Sequence, residues 1–592
     1  MAIEDHAIIG DMRTAALVGL DGAIDFLCWP RFDSPSLFAG LLDAEKGGAF
    51  ELAPILDGAT HRQIYLPDTN ILLSRFLSHA GVAEVSDFMT IDGDTQCLVR
   101  RAKAVRGAAR FRMCCAPRFA YGRAGHRAQA EDGAVLLLSD GLRLRLRATV
   151  PLEIRDGDVV AEFDLEAGQS AAFVLESADQ ENRPLEPAAV THAFRETSNY
   201  WRGWTARSSY QGRWRDVVSR SALALKLLTS VEHGSIIAAA TFGLPEKIGG
   251  ELNWDYRYSW LRDAAFTIYA FLRLGHVEEA SAFMRWLGTR EDKAESDGRL
   301  QLMYRLDGTS DLAESALDHL SGYKGSRPVL IGNAARAQMQ LDIYGELMDA
   351  VYLSDKYGEQ ISWEGWENVS RSMEWLRASW QQPDAGIWET RNGDKDFLHS
   401  RLMSWVAFDR ATRLARKRGL PAPLIDWTAA RDAIYREIHE EFWDADQGFF
   451  VQAKGETAID ASCLLMPLVR FISPTDPRWL STLKAVGERL VDDSLVYRCC
   501  STDDPQDGHS GEGTFTMCSF WYIECVARAG DVPKARFLFD KMLGYANHVG
   551  LFAEELGPAG EHLGNFPQAF THLALISAAH YLDRALSDGR AG

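Results

Sequence analysis

The spacing of apolar residues changes once in this chain, near residue 196, and that change limits the folds open to it. Upstream, short runs alternate with a period of two. Leu142-Arg143-Leu144-Arg145-Leu146-Arg147 alternates throughout after a Ser139-Asp140-Gly141 turn, and residues 110–113 alternate as well. Leu20-Asp21-Gly22 separates residues 15–19 from 24–29 as a hairpin of the Asp-Gly kind. Short strands with frequent Gly and Asp turns predict an antiparallel β-sandwich over residues 1–195, its strand arginines on a solvated outer face. Downstream, Trp214, Val217, Val218, Ala222, Leu225 and Leu228 follow the i, i+3/i+4 rule of a helix. A linker at 196–212, with Trp201 and Trp204, divides the two regions. With 592 residues, two cores are expected.

The helical region repeats a local pattern. Leu274-Gly275-His276-Val277 and Ala529-Gly530-Asp531-Val532 each end a helix at glycine and restart another, and Arg418-Gly419-Leu420-Pro421 is a looser third instance. Helix–Gly–helix units over residues 213–592 predict helical hairpins set in a ring or a solenoid.

A net charge of −20 argues against a polyanionic partner, because binding nucleic acid needs clustered Lys and Arg. A neutral ligand fits better. Nine cysteines include the neighbours Cys114-Cys115 and Cys499-Cys500 with no Cys-x-x-Cys, which is neither a zinc pattern nor a disulfide framework. No metal or cofactor is expected. The acidic N-terminus lacks the basic start of a signal peptide, and no apolar run approaches the ~18 residues of a membrane span. Cytoplasmic location is expected, with no membrane partner; a homo-oligomer stays open.

The densest chemistry lies in residues 253–267, where Trp254, Tyr256, Tyr258 and Trp260 alternate with Asp255, Arg257 and Ser259 before an apolar helix. Aromatic faces suit the C–H faces of a sugar, and Asp and Arg suit its hydroxyls. Trp260-Leu261-Arg262-Asp263-Ala264 resembles the Trp-x-Arg-Asp-Ala signature of glycoside hydrolase family 15, the glucoamylases and their trehalase-like relatives. The resemblance implies an (α/α)6 toroid as the catalytic fold, with Arg262 and Asp263 gripping the non-reducing glucose. Residues 9–38, including the Pro- and aromatic-rich 28–36, resemble the opening of the trehalase-like members, whose N-terminal sandwich packs on the catalytic domain.

Glycosidic hydrolysis needs two carboxyl groups, and three acidic segments sit among aromatics and glycines. In Asp384-Ala385-Gly386-Ile387-Trp388-Glu389, Trp388 is expected to shield Glu389, the general acid by resemblance. In residues 550–556, Glu554 and Glu555 are adjacent. The family pattern selects Glu554 as general base and leaves Glu555 to orient substrate or water. Gly511-Glu512-Gly513 implies a sugar-binding Glu512, with Arg498 upstream, and the loop at 322–328 brings Arg327. Trp254 and Asp255 complete the expected substrate contacts.

The expected function is inverting, exo-acting hydrolysis of an α-glucoside, with trehalose preferred because of the N-terminal segment. A glucoamylase-type enzyme on malto- or isomalto-oligosaccharides is the alternative. A sugar phosphorylase would need no base at Glu554, and a silent glycan-binding protein would need neither carboxylate.

Overall fold

The computed structural model describes residues 1–91, 95–179, 181–291, 298–391, 393–499 and 512–588. The alternating region forms two antiparallel sheets of eight strands each. One sheet runs in the order His6–Gly10, Ala15–Gly19, Ala23–Cys28, Ala49–Pro54, Ala109–Ala116, Asp158–Leu165, Glu153–Arg155, with Ser36–Phe38 on the third strand. The other runs from Arg127–Glu131 through Ala134–Ser139, Leu142–Ala148, Ser170–Ser177, Cys97–Arg106, Val82–Met89 and Leu72–Leu77 to Thr60–Tyr65. Their inner faces meet where Phe163 of the first packs on Phe173 of the second, 5.6 Å apart. A buried arginine ties them: Arg100 pairs with Asp87 at 2.8 Å and donates to the Gly22 carbonyl at 2.6 Å and to that of Phe50. With its charge paired and its donors used, Arg100 escapes the cost of an isolated buried cation.

Two expectations change here. Arg145 does not lie on a solvated face; it is only 5% exposed and bonds Glu131 at 2.8 Å, while Arg147 bonds Glu176 at 2.6 Å. Acidic partners on the same sheet absorb these arginines, Glu176 from the adjoining strand and Glu131 from the strand beyond its neighbour. The stretch expected as linker is helical up to Thr205, within Pro187–Thr205. Its tryptophans have a core to fill: Trp204 donates to Glu279 at 2.6 Å and stacks on His276 at 3.9 Å.

Beyond it the chain is helical, and the predicted helix–Gly–helix joints are present. Leu261–Leu274 passes to Val277–Glu291 through Gly275, whose φ of 87° is the left-handed turn that glycine adopts without strain. Leu261–Leu274 packs on Asp342–Tyr357, and that helix packs on Leu398–Arg418. The short segment Ala461–Leu464 touches both Leu398–Arg418 and Thr516–Arg528; Thr516–Arg528 packs on Ala569–Asp588, which returns to Leu261–Leu274.

The two regions clasp each other behind residues 253–260. Arg257, fully buried, donates to the Ser34 carbonyl at 2.7 Å and to Cys28 Sγ at 3.2 Å, so the Pro-rich loop at 28–36 is held from the helical side. Arg305 pairs with Asp33 at 2.8 Å on the same loop.

Candidate active site

Residues 254–260 build the floor of a cavity of about 480 Å³, within the ~300–1,000 Å³ usual for small-molecule sites. Their alternation sorts them by face. Trp254, Tyr256 and Trp260 line the cavity, whereas Asp255 and Arg257 face the sandwich as a fully buried pair with contacts of 2.7 and 2.9 Å. Asp255 is therefore not brought to the cavity; its immediate neighbours Trp254 and Tyr256 are. It spends its charge on Arg257 and accepts from the Gly332 amide at 3.1 Å.

Tyr256 and Trp260 meet edge to face, 5.4 Å apart, and each presents a carboxylate. Trp260 Nε1 donates to Glu389 Oε1 at 2.9 Å. Tyr256 Oη donates to Glu554 Oε1 at 2.7 Å. One aromatic pair thus holds both expected catalytic groups, although they are 165 positions apart in sequence.

Glu389 stands on a loop pinned by Asp384, which accepts from the Leu341 amide at 2.7 Å and from Ser400 Oγ at 2.8 Å. Its own φ is 55°, a left-handed conformation costing a non-glycine residue about 1 kcal/mol or more. Arg262 donates to the same Glu389 oxygen at 3.1 Å, and also to Gln340 at 2.9 Å and Asp342 at 3.1 Å. The expected shielding by Trp388 is not what holds Glu389. Trp388 turns its indole N–H to Asp460 at 2.7 Å and packs on Phe515, 5.6 Å away.

Glu554 is 2% exposed, against 22% for the Glu389 side chain. Gln568 adds a donor to its Oε1 at 3.2 Å, and the Asn565 backbone makes a further hydrogen bond to the carboxylate. Burial pushes its pKa up to about 7, against the lowering effects of the Tyr256 hydrogen bond and the Arg498 charge. A Cβ on Gly564 would lie 2.4 Å from Glu554 Oε2, so only glycine leaves room for the carboxylate there. Asp263, in the first turn of Leu261–Leu274, also lines the cavity; burial pushes it to about 7, opposed by Arg262.

Beside Glu554, Glu246, Glu512 and Glu555 bring carboxylate oxygens within 4.8 Å of one another. Arg498 enters this group at 2.7 Å from Glu512 and 3.8 Å from Glu246, and lies 4.7 Å over the Phe515 ring. Burial, then like charge, pushes Glu246 and Glu555 well above the usual carboxylate range. The cluster has the donor set of a hard cation, with a guanidinium already supplying positive charge.

Seven of the expected residues line one cavity: Trp254, Arg262, Asp263, Trp388, Glu389, Arg498 and Glu554. Glu512 and Glu555 sit behind Arg498 rather than on the wall. Arg327 is exposed and bonded to the Ser321 carbonyl at 3.3 Å, outside the cavity; the cis Arg327-Pro328 peptide belongs to a surface loop. Gly511, Cys500 and residues 503–509 lie outside the described residues. The sequence reading missed the second roles of Tyr256 and Trp260, and missed Glu246, Gln340, Asp342 and Gln568. Gln568 stands beside the 564–567 turn next to the Glu554 loop, a signal that was available; Pro245-Glu246-Lys247 reads as a surface turn and offered none.

An aromatic floor that presents two carboxyl groups beside an Arg–Asp pair is what cleavage of a glycosidic bond requires, and the class of protein is a glycoside hydrolase. Residues 212–580 match the family profile of glycosyl hydrolases family 15, and residues 1–170 match that of the trehalase-like N-terminal domain. The chain belongs to glycosyl hydrolases family 15. It is 36% identical to a trehalase of Mycobacterium tuberculosis over 98% of this chain and 90% of that protein. It is 35% identical to a trehalase of Thermoplasma volcanium over 99% of this chain and 94% of the relative. A bacterial glucoamylase complexed with acarbose shares the fold, with a TM-score of 0.73 and 12% identity over 98% of this chain and 95% of its own.

Proposed function

We propose that this enzyme hydrolyses trehalose with inversion, Glu389 acting as general acid and Glu554 as general base. The observation that carries the reading is the Tyr256–Trp260 pair, which hands one carboxyl group to each end of a shared aromatic floor. Glu389 gives its proton to the glycosidic oxygen as the bond from C1 breaks. Glu554 takes a proton from the water whose oxygen attacks C1 from the other face. Glu554 lines the cavity and is the carboxylate that meets that water. Arg262 and Asp263 bind hydroxyls of the glucose being transferred, and Trp254, Trp388 and Arg498 supply further contacts. The trehalases among its relatives, matched over nearly their full lengths, support the substrate.

The helices that pack in cyclic order support an (α/α)6 toroid, the short Ala461–Leu468 stretch standing in for one inner helix. Free thiols at Cys28, Cys97, Cys114, Cys115, Cys463, Cys518 and Cys525 support a reducing, cytoplasmic setting. Among the described residues no helix is long and apolar enough to cross a membrane.

Proton NMR in the first minutes of trehalose hydrolysis tests the mechanism. Attack with inversion gives one β-glucose, and the leaving sugar departs as α-glucose, so early product should be an equal mixture. Early product that is α-glucose alone would exclude inversion, and absence of glucose release would exclude the substrate. Glu389→Gln should lose roughly 10²–10⁴ in rate on trehalose and recover on α-glucosyl fluoride, whose leaving group needs no proton.

A further inference from the structure

The loop that carries Glu389 continues into two cations that the mechanism above leaves unused. Arg391 and Lys395 both line the cavity at its solvent end, with side chains 48% and 43% exposed. Arg391 lays its guanidinium over the Trp254 ring at 4.2 Å. It is fixed there by Glu314 at 3.0 Å, and Glu314 in turn accepts from the Ala334 amide at 3.1 Å. Lys395 pairs with Glu456 at 2.8 Å. These ion pairs tie the Glu389 loop to Glu314, outside the lining, and to Glu456 on the cavity wall.

A general acid must face the oxygen of the leaving group. Side chains that follow it on the same loop, on the solvent side, therefore flank the leaving sugar rather than the glucose held at Arg262 and Asp263. A guanidinium stacked on an indole is a ready-made sugar contact. Its plane is held, its N–H edge can meet two adjacent hydroxyls, and one carboxylate uses only part of its five donors. Resting on the assignment of Glu389 as the acid, we infer that Arg391, stacked on Trp254, binds the leaving sugar, and that the Arg391–Glu314 and Lys395–Glu456 pairs close the cavity against a third sugar unit.

The experiment compares substrates with and without a leaving sugar. Arg391→Ala should lower kcat/KM on trehalose by about 10- to 100-fold, the worth of a charge-assisted hydrogen-bond pair. On α-glucosyl fluoride, which has no second sugar, the same variant should stay within about threefold of wild type; that arm also serves as the control for folding. The Arg391→Ala/Lys395→Ala double variant should raise the ratio of maltotriose to maltose turnover. Equal losses on trehalose and fluoride, no loss on either, or an unchanged chain-length ratio would overturn the inference. Should wild-type enzyme leave trehalose intact, the substrate assignment fails on its own, and the comparison is made on whichever disaccharide the enzyme cleaves.

Discussion

As the proposed general base, Glu554 would work only when ionised, and its burial delays that ionisation until about pH 7. The acid limb of kcat/KM should therefore have its midpoint near that value, with a tenfold fall per pH unit below it. Glu554→Gln should be inactive on glycosides and on glucosyl fluoride alike, since no leaving group replaces the base. The same group weakens the fold. Its proton is held more tightly in the folded chain than at the reference value of 4.5, so its contribution is fully favourable below about 4.5 and is lost as pH rises through about 7. Glutamine carries no such cost. Glu554→Gln should match the wild type in thermal unfolding at pH 4 and exceed it at pH 8 by up to about 3 kcal/mol. A stability difference that ignores pH would show that burial is not what shifts this carboxyl.

At the scale of elements, residues 254–260 show what the sequence could and could not convey. The aromatic alternation and the Trp260–Asp263 signature were legible, and both lead into the cavity. Which face Asp255 would take was not, because a period-two pattern divides residues between two faces without saying which face is which. That depended on the loop at 28–36, more than 200 positions away, which supplies the carbonyls that hold Arg257. Arg257→Ala should thus leave Asp255 buried without its cation, costing about 3–5 kcal/mol, and should lower kcat although neither residue lines the cavity. Thermal unfolding together with steady-state kinetics checks this. An active variant of wild-type stability would mean that the clasp is dispensable to the floor.

For the whole molecule, the change of period near residue 196 foretold two regions but not their dependence on each other. The sandwich is no detachable appendage. It covers the back of the aromatic floor through Arg257 and Arg305, and Asn70 donates to the Leu223 carbonyl at 3.2 Å. Residues 213–592 expressed alone should be inactive and aggregate, because the buried Asp255–Arg257 pair and the apolar face beneath it would be bared. Sedimentation and a glucose-release assay decide the matter; a soluble, active fragment would show that the helical region is self-sufficient.

The tie at the far end of the Glu554 loop sets a clock. Asn547 donates to the backbone carbonyls of Glu4 and His6 at 3.2 and 2.7 Å, and the His562 amide donates to Glu4 at 3.3 Å. The first strand of the sandwich thus completes its hydrogen bonds only against residues made more than 540 positions later. At about 5–20 residues per second of synthesis, that is a wait of roughly half a minute to two minutes. Throughout that interval residues 4 and 6 lack these partners, and the tie between the first strand and the Glu554 loop closes only once residue 562 has been made.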